Sequence, residues 1–269
     1  MIYWYMFTGL SFVALILIRS YLVDKRPSLR VLMYHKISNN GNSDGLTVTL
    51  AHLEQQFQIL LKEGYTPILL SDMVNYIQTG RPLPVKPVLI TFDDGYRDNY
   101  TIMYPLLKKY GMKASIFLVP SFLQYTALET NEHAGDYLHV NDIHNMNAHL
   151  VEYGLHSYDH KSYKALSSDE VDVDIAKSKD MLHAMGIDFQ PCLAFPYGAF
   201  PKKNPIKLKR LNETLLANSI VLAFRIGNRL NALPLRNPLL VQRLDIRGDD
   251  SIEKFRRLLK RGKEQIRLR

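Results

Sequence analysis

Cysteine is almost absent from this chain: Cys192 is the sole example in 269 residues. No intramolecular disulfide can form, so a hydrophobic core must hold the fold, and the length suffices for one barrel-sized domain plus an anchor. The thiol itself suits a small buried apolar role. Internal repeats and low-complexity tracts are missing too. A net charge of +8 comes with no recognised nucleic-acid motif, so no nucleic-acid partner is expected. The N-terminus lacks both a basic leader and a clear small-x-small cleavage site, which argues against a removed signal peptide.

Charge is also missing from residues 2–18. These 17 residues reach the short end of the roughly 17–25 that span a bilayer, and Tyr3, Trp4 and Tyr5 suit one interface. The expectation is a membrane-spanning anchor over residues 1–23, with a buried helix as the alternative. At the other end, residues 252–269 hold eight lysines or arginines against two glutamates, a net of +6. Ile252, Phe255, Leu259 and Ile266 recur at near-helical spacing there, so residues 251–269 read as a basic amphipathic helix. It could rest on an anionic membrane or pack on the domain with its charged face in water.

What is present is a set of apolar runs that end abruptly in polar residues. Val88 to Phe92 has the composition of a buried strand and runs into Asp93-Asp94-Gly95-Tyr96. Parallel α/β folds build their sites at such carboxyl ends. Two adjacent carboxylates repel, and a metal, a cationic partner or a shared proton must compensate if they are buried. An acidic turn after an ordinary strand fits these residues equally well. Further on, Glu152 to Leu155 leads into His156-Ser-Tyr-Asp-His160, which places two imidazoles on one helix face or across one tight turn. Two such nitrogens plus one carboxylate leave open positions on an ion, as catalytic sites require. Cys192 to Phe195 ends in Pro196-Tyr197-Gly198, a turn able to aim a backbone N–H into a site. Val31 to Tyr34 has the apolar pattern of a first strand, which delivers His35 at its end.

Together these segments resemble the polysaccharide deacetylase family, also called the NodB-homology or carbohydrate esterase family 4 domain. Thr91-Phe-Asp-Asp-Gly-Tyr96 matches its first motif, His156-Ser-x-x-His160 its second, and Phe195-Pro-Tyr-Gly198 part of its third. The resemblance covers roughly residues 29–250. It implies a distorted (β/α) barrel, an α/β fold, that removes acetyl groups from N-acetylated sugars with one divalent metal. By that resemblance Asp93 is the general base, and Asp94, His156 and His160 are the metal ligands. Tyr197 offers its backbone N–H to the oxyanion, while Tyr96, Pro196 and Tyr197 bind substrate. Zinc is the first expectation for the ion, and cobalt, nickel, manganese or iron accept the same ligands.

Two departures from the family pattern stand out. No histidine follows His183, so the late Leu-x-His motif is missing. Leu32-Met-Tyr-His35 resembles the N-terminal Tyr-His element of the poly-N-acetylglucosamine deacetylase branch, which implies His35 as the general acid. Ala194 stands where the third motif usually has an arginine, and Arg243 could orient the base from another strand. The expected partners are an N-acetylated glycan of the cell envelope and, through the N-terminal segment, a membrane. Arg19, Lys25, Arg26 and Arg30 favour a cytoplasmic domain, whereas glycan deacetylases act more often outside, and the extracytoplasmic side is the expectation. The alternatives are a non-catalytic glycan-binding membrane protein and an amidase on a non-sugar C–N bond.

The remaining chain alternates helix and strand patterns, which predicts parallel strands with helices outside. Helices are expected over 50–62 with Thr49 as cap, from Ser71 to near Gly80, over 99–110 with a kink at Pro105, and over 168–185. Residues 121–148 read as a substrate-side loop followed by a helix from Asn141, and Asn39 to Gly45 as a second loop near substrate.

Overall fold

Apolar strands dominate the structure, a computed structural model that describes residues 27–125 and 135–262. The described residues begin with β1 (Ser28–Tyr34), β2 (Lys36–Ser38), β3 (Thr47–Thr49), α1 (Leu50–Lys62), β4 (Thr66–Ile68) and α2 (Leu70–Thr79). Then come β5 (Pro87–Asp94), a π-helical turn at Asn99–Met103, α3 (Tyr104–Tyr110), β6 (Ala114–Leu118), α4 (Pro120–Tyr125) and α5 (Val140–His144). The second half holds β7 (Val151–Leu155), α6 (Ser168–Ala184), β8 (Cys192–Ala194), α7 (Pro205–Ala217) and β9 (Leu222–Ile226). It ends with β10 (Asn231–Ala232), β11 (Val241–Asp245) and α8 (Ile252–Arg261).

Seven of these strands close a parallel barrel in the order β1, β5, β6, β7, β8, β9, β11 and back to β1. The barrel is distorted: β7 meets β8 through the single pair Leu155 and Leu193. β4 pairs with residues 87–89 of β5, and β6 with residues 91–94, so they share one edge of that strand in succession. Every residue of β5 is buried, as expected for a strand covered on both faces.

The pleat divides these side chains between two cores. Val88, Ile90 and Phe92 belong to the large cluster shared with the helices. Leu89 packs with Val31, Phe117, Cys192, Phe224 and Val241. Thr91 and Asp93 follow Leu89 at the period of two, and Arg243 follows Val241 in the same way, so these polar groups face the same space. All seven strands run one way, which brings their carboxyl ends, and the residues after them, to one mouth.

Local signals account for most helix limits. Thr49 Oγ1 accepts from His52 N at 3.2 Å and caps α1. The 99–110 segment breaks where Pro105 enters the first turn of α3, and the π-helical turn takes up the residues before it. Ser71 is not a cap: Leu69 holds that position, and Asp72 Oδ2 accepts from Leu69 N at 2.9 Å. Ser71 N is instead taken by Glu152 Oε2 at 2.8 Å. Phe255, Leu258 and Leu259 of α8 are buried against the barrel, so the described part of the basic tail packs on the domain. The anchor expected at residues 1–23 and the tail beyond 262 lie outside the described residues. Among the described residues no helix is long and apolar enough to cross a membrane.

Candidate active site

Asp93 enters the barrel mouth on the inward face of β5. Arg243 Nη1 donates to Asp93 Oδ1 at 2.6 Å and Nη2 to Oδ2 at 2.7 Å. Both side chains are buried, and the guanidinium carbon lies 5.6 Å from the Phe117 ring. Burial opposes ionisation of Asp93, but Arg243 and then His156 overcome it and hold the carboxyl below its ordinary value. A fixed, ionised carboxylate results.

Asp94 should alternate to the opposite face of β5. Its φ of 74° breaks the alternation, and Gly95, also at φ 74°, completes the turn. A side chain at Gly95 would meet Leu118 Cδ2 at 3.0 Å. Ser157, His160 and Tyr197 also take positive φ. Such backbone strain tends to gather at functional sites, where the surroundings enforce it.

The turn puts Asp94 Oδ1 3.4 Å from His156 Nε2 and 3.2 Å from His160 Nε2. Residues 156–160 form a loop after β7 rather than a helix, so the tight-turn alternative applies to the two imidazoles. His156 Nδ1 lies 2.8 Å from the Ala194 carbonyl, which can only accept. That bond fixes the tautomer and leaves Nε2 with a lone pair. Asp94 Oδ1 is buried and has no hydrogen-bond partner. Lone pairs that converge in this way repel one another until a cation joins them. Burial disfavours a charged His156, yet Asp93 and Asp94 outweigh it and raise its pKa, so the two carboxylates draw positive charge to this point, whether a proton or a metal ion. The donor atoms of Asp94, His156 and His160 lie within 4.8 Å of one another, and this donor set fits a divalent ion.

The other expected site residues surround this group. His35 directly follows β1, and its carbonyl accepts from Asn99 Nδ2 at 3.1 Å. Pro196 is buried at the head of a short turn, and Tyr197 is exposed. Tyr197 OH lies 3.1 Å from His160 Nδ1, with the two rings 4.5 Å apart. Tyr96 stacks on Tyr137 at 5.2 Å, and Lys36 Nζ sits 4.4 Å from its ring centre. Burial, and then the Asp94 charge, push the Tyr96 hydroxyl well above its ordinary pKa. Phe122 extends this rim, 4.4 Å from Tyr137 and 6.1 Å from His160. Aromatic faces of this kind suit a pyranose ring.

Sequence reasoning missed several contributors. Asp174 of α6 accepts from Ser157 Oγ at 2.8 Å, Tyr158 N at 3.1 Å and Tyr163 OH at 2.6 Å, so it pins the loop between the two histidines. Nothing distinguished it from the other acids of that helix. Phe122 and Tyr137 were hidden in the stretch from 121 to 148, where strand and helix signals are weak.

Residues 80–214, half of the chain, match the family model described as polysaccharide deacetylase. The chain belongs to the polysaccharide deacetylase family. The matched span includes Asp93, Asp94, His156, His160 and Tyr197 but neither His35 nor Arg243. Among named relatives, the Bacillus subtilis protein YxkH, whose name denotes a polysaccharide deacetylase, is 32% identical over 71% of this chain and 63% of its own. The poly-β-1,6-N-acetyl-D-glucosamine N-deacetylase of Escherichia coli is 36% identical over 26% of this chain and 10% of its own. The chain therefore covers less than two thirds of either relative. Among solved structures, the Streptococcus pyogenes deacetylase PplD in complex with acetate has a TM-score of 0.72. It is 21% identical and covers 87% of this chain and 99% of that one, a likeness of fold.

Proposed function

We propose that this protein is a metal-dependent deacetylase that hydrolyses acetamide groups on N-acetylated sugars of a cell-envelope polysaccharide or glycolipid. The observation that carries the reading is the convergence of Asp94, His156 and His160 around a buried carboxylate oxygen that accepts no hydrogen bond, beside an ionised Asp93. Family membership supports the substrate class.

Asp94 Oδ1 and the Nε2 atoms of His156 and His160 would hold the ion. A divalent ion held there would supply Lewis acidity to the acetamide carbonyl and to the attacking water. Asp93 takes the proton of the attacking water. Its lowered pKa makes it a weak base, but keeps it ionised and ready at neutral pH. Arg243 fixes both Asp93 oxygens, so the carboxylate does not have to reorient when the water arrives. The backbone N–H of Tyr197 steadies the oxyanion, and His35 protonates the departing amine. Tyr96 and Tyr197, with Pro196 between strand and turn, hold the sugar. The uncharged residues 2–18 support attachment to a membrane, which would keep the domain beside envelope glycans.

The test is acetate release from N-acetylglucosamine oligomers, with metal stripped and then with zinc or cobalt restored, beside Asp93→Asn. Metal-dependent release that the variant lacks supports the reading. A metal-loaded protein that releases no acetate from any N-acetylated sugar overturns it.

A further inference from the structure

Between Pro201 and Arg210 the sequence carries five basic residues and no acid, and the next acid is Glu213. The structure folds this run into one wall of a cleft of about 510 Å³, lined by Lys164, Lys202, Lys203 and Lys207 over Gly198 and Phe200. No acidic side chain lines it. Lys209 pairs with Glu213 at 3.8 Å, whereas the four cleft lysines have no ion pair among the described residues. Lys207 sits in the first turn of α7, where the helix dipole disfavours a cation and no acid offsets it. Neither helix stability nor pairing explains this concentration of charge.

Its position points to substrate. Gly198 lines the cleft and directly follows Tyr197, whose hydroxyl lies 3.1 Å from His160 Nδ1. A glycan with its acetamide at the candidate metal group could thus continue into the cleft. Every acetyl group removed leaves a primary amine, which is cationic at neutral pH. Four unpaired lysines repel a polymer that accumulates such amines, and attract one that carries anions. We propose that this cleft binds the anionic groups, phosphate or carboxylate, of an acidic N-acetylated glycan. The proposal deepens the deacetylase reading and rests on it.

Three oligomers of similar length test it: neutral N-acetylglucosamine, hyaluronan with alternating carboxylates, and N-acetylglucosamine 1-phosphate with phosphodiester links. The metal-loaded protein should favour at least one acidic oligomer by about tenfold in kcat/KM at low salt, and high salt should erase the preference. The better acidic oligomer identifies the anion. K202E/K203E/K207E should bring the ratio of acidic to neutral turnover near one, while the matching triple arginine variant keeps it. Binding of the same oligomers to Asp93→Asn, measured by calorimetry, provides a readout without turnover.

Equal or better turnover of the neutral oligomer, insensitive to salt, overturns the cleft proposal and leaves the deacetylase reading intact. If no oligomer releases acetate, but acidic ones bind and the charge-reversed triple combined with Asp93→Asn does not bind them, the cleft assignment holds and the deacetylase reading fails. Charge-dependent binding to phosphatidylglycerol vesicles without any preference among glycans overturns the proposal in favour of a membrane-facing patch.

Discussion

Arg243 grips both oxygens of Asp93, at 2.6 and 2.7 Å, across a separation of 150 residues. The pair joins β11 to β5, two strands that never meet, since β1 lies between them in the barrel. It fixes the carboxylate at the barrel mouth and supplies its counter-charge where water is excluded.

Arg243→Met should therefore damage both stability and turnover. Removal of one partner leaves a buried uncompensated charge, which costs about 3–5 kcal/mol. The folded pKa of Asp93 lies below its ordinary value, so the stabilisation is present above the unfolded pKa and lost as pH falls through the folded one. Urea titrations should show the largest deficit near pH 7 and a smaller one in acid, where the variant's carboxyl is protonated. Acetate release at pH 7 should fall by about 100-fold or more. Arg243→Lys keeps the charge without the fork and should lie between. Equal stability at pH 7 would remove Asp93 and Arg243 as a linked unit.

Metal content separates the remaining roles. Asp93→Asn should abolish acetate release and keep the ion, because Asp93 stands beside the donor group rather than in it. His156→Ala or His160→Ala should lose the ion itself. His35→Ala should keep the ion and lower turnover by roughly 10²–10⁴. Elemental analysis of each purified variant, paired with acetate release, checks all three roles. Full occupancy in either ligand variant contradicts the ligand assignment, and normal turnover of His35→Ala contradicts the general acid.

The strands and the donor group were legible because each rests on a short contiguous signal. Val88 to Asp94 announces both burial and chemistry, and His156 with His160 needs only five residues. Arg243 was reachable only as a substitute for the arginine missing at Ala194, since a partner 150 residues away leaves no local trace. Asp174 left less still. Its value lies in three bonds to a loop before its helix, whereas in sequence it is one of several acids on a polar helix. Ser71 misled for the opposite reason. A good capping residue stood next to the true boundary, and Asp72 took the role through the backbone of Leu69.

Asp174→Ala should loosen the loop that holds both histidines. Ser157, Tyr158 and Tyr163 would each lose a buried acceptor, and Ser178 Oγ bonds only to the backbone carbonyl of that residue. Loss of such an outer partner typically weakens metal affinity by about 10–100-fold. Competition against a chromophoric chelator measures this directly. Excess metal should then restore much of the activity, which would not follow if Asp174 acted on the reacting atoms. Unchanged affinity would reduce Asp174 to a core contact.

Asp98 should show the reverse pH signature of Asp93. Burial pushes its carboxyl up to about 6, against the opposing Ile37 backbone, Asn99 side chain and Lys36 charge. A folded pKa above the unfolded value means that the folded state holds this proton more tightly. The penalty is absent below about pH 4, grows to about pH 6, and is complete above it. Two units correspond to an upper limit of about 3 kcal/mol, which the partial exposure of the side chain reduces. Asp98→Asn should thus stabilise the fold by about 1–2 kcal/mol at pH 8 and change little at pH 4. The amide oxygen can still accept from Asn99 Nδ2, now at 2.7 Å, so Asn99 keeps its bond to the His35 carbonyl and turnover should persist. Thermal or urea unfolding at the two pH values decides the matter. A variant equally stabilised at both, or destabilised at pH 8, would show that Asp98 is needed in its charged form.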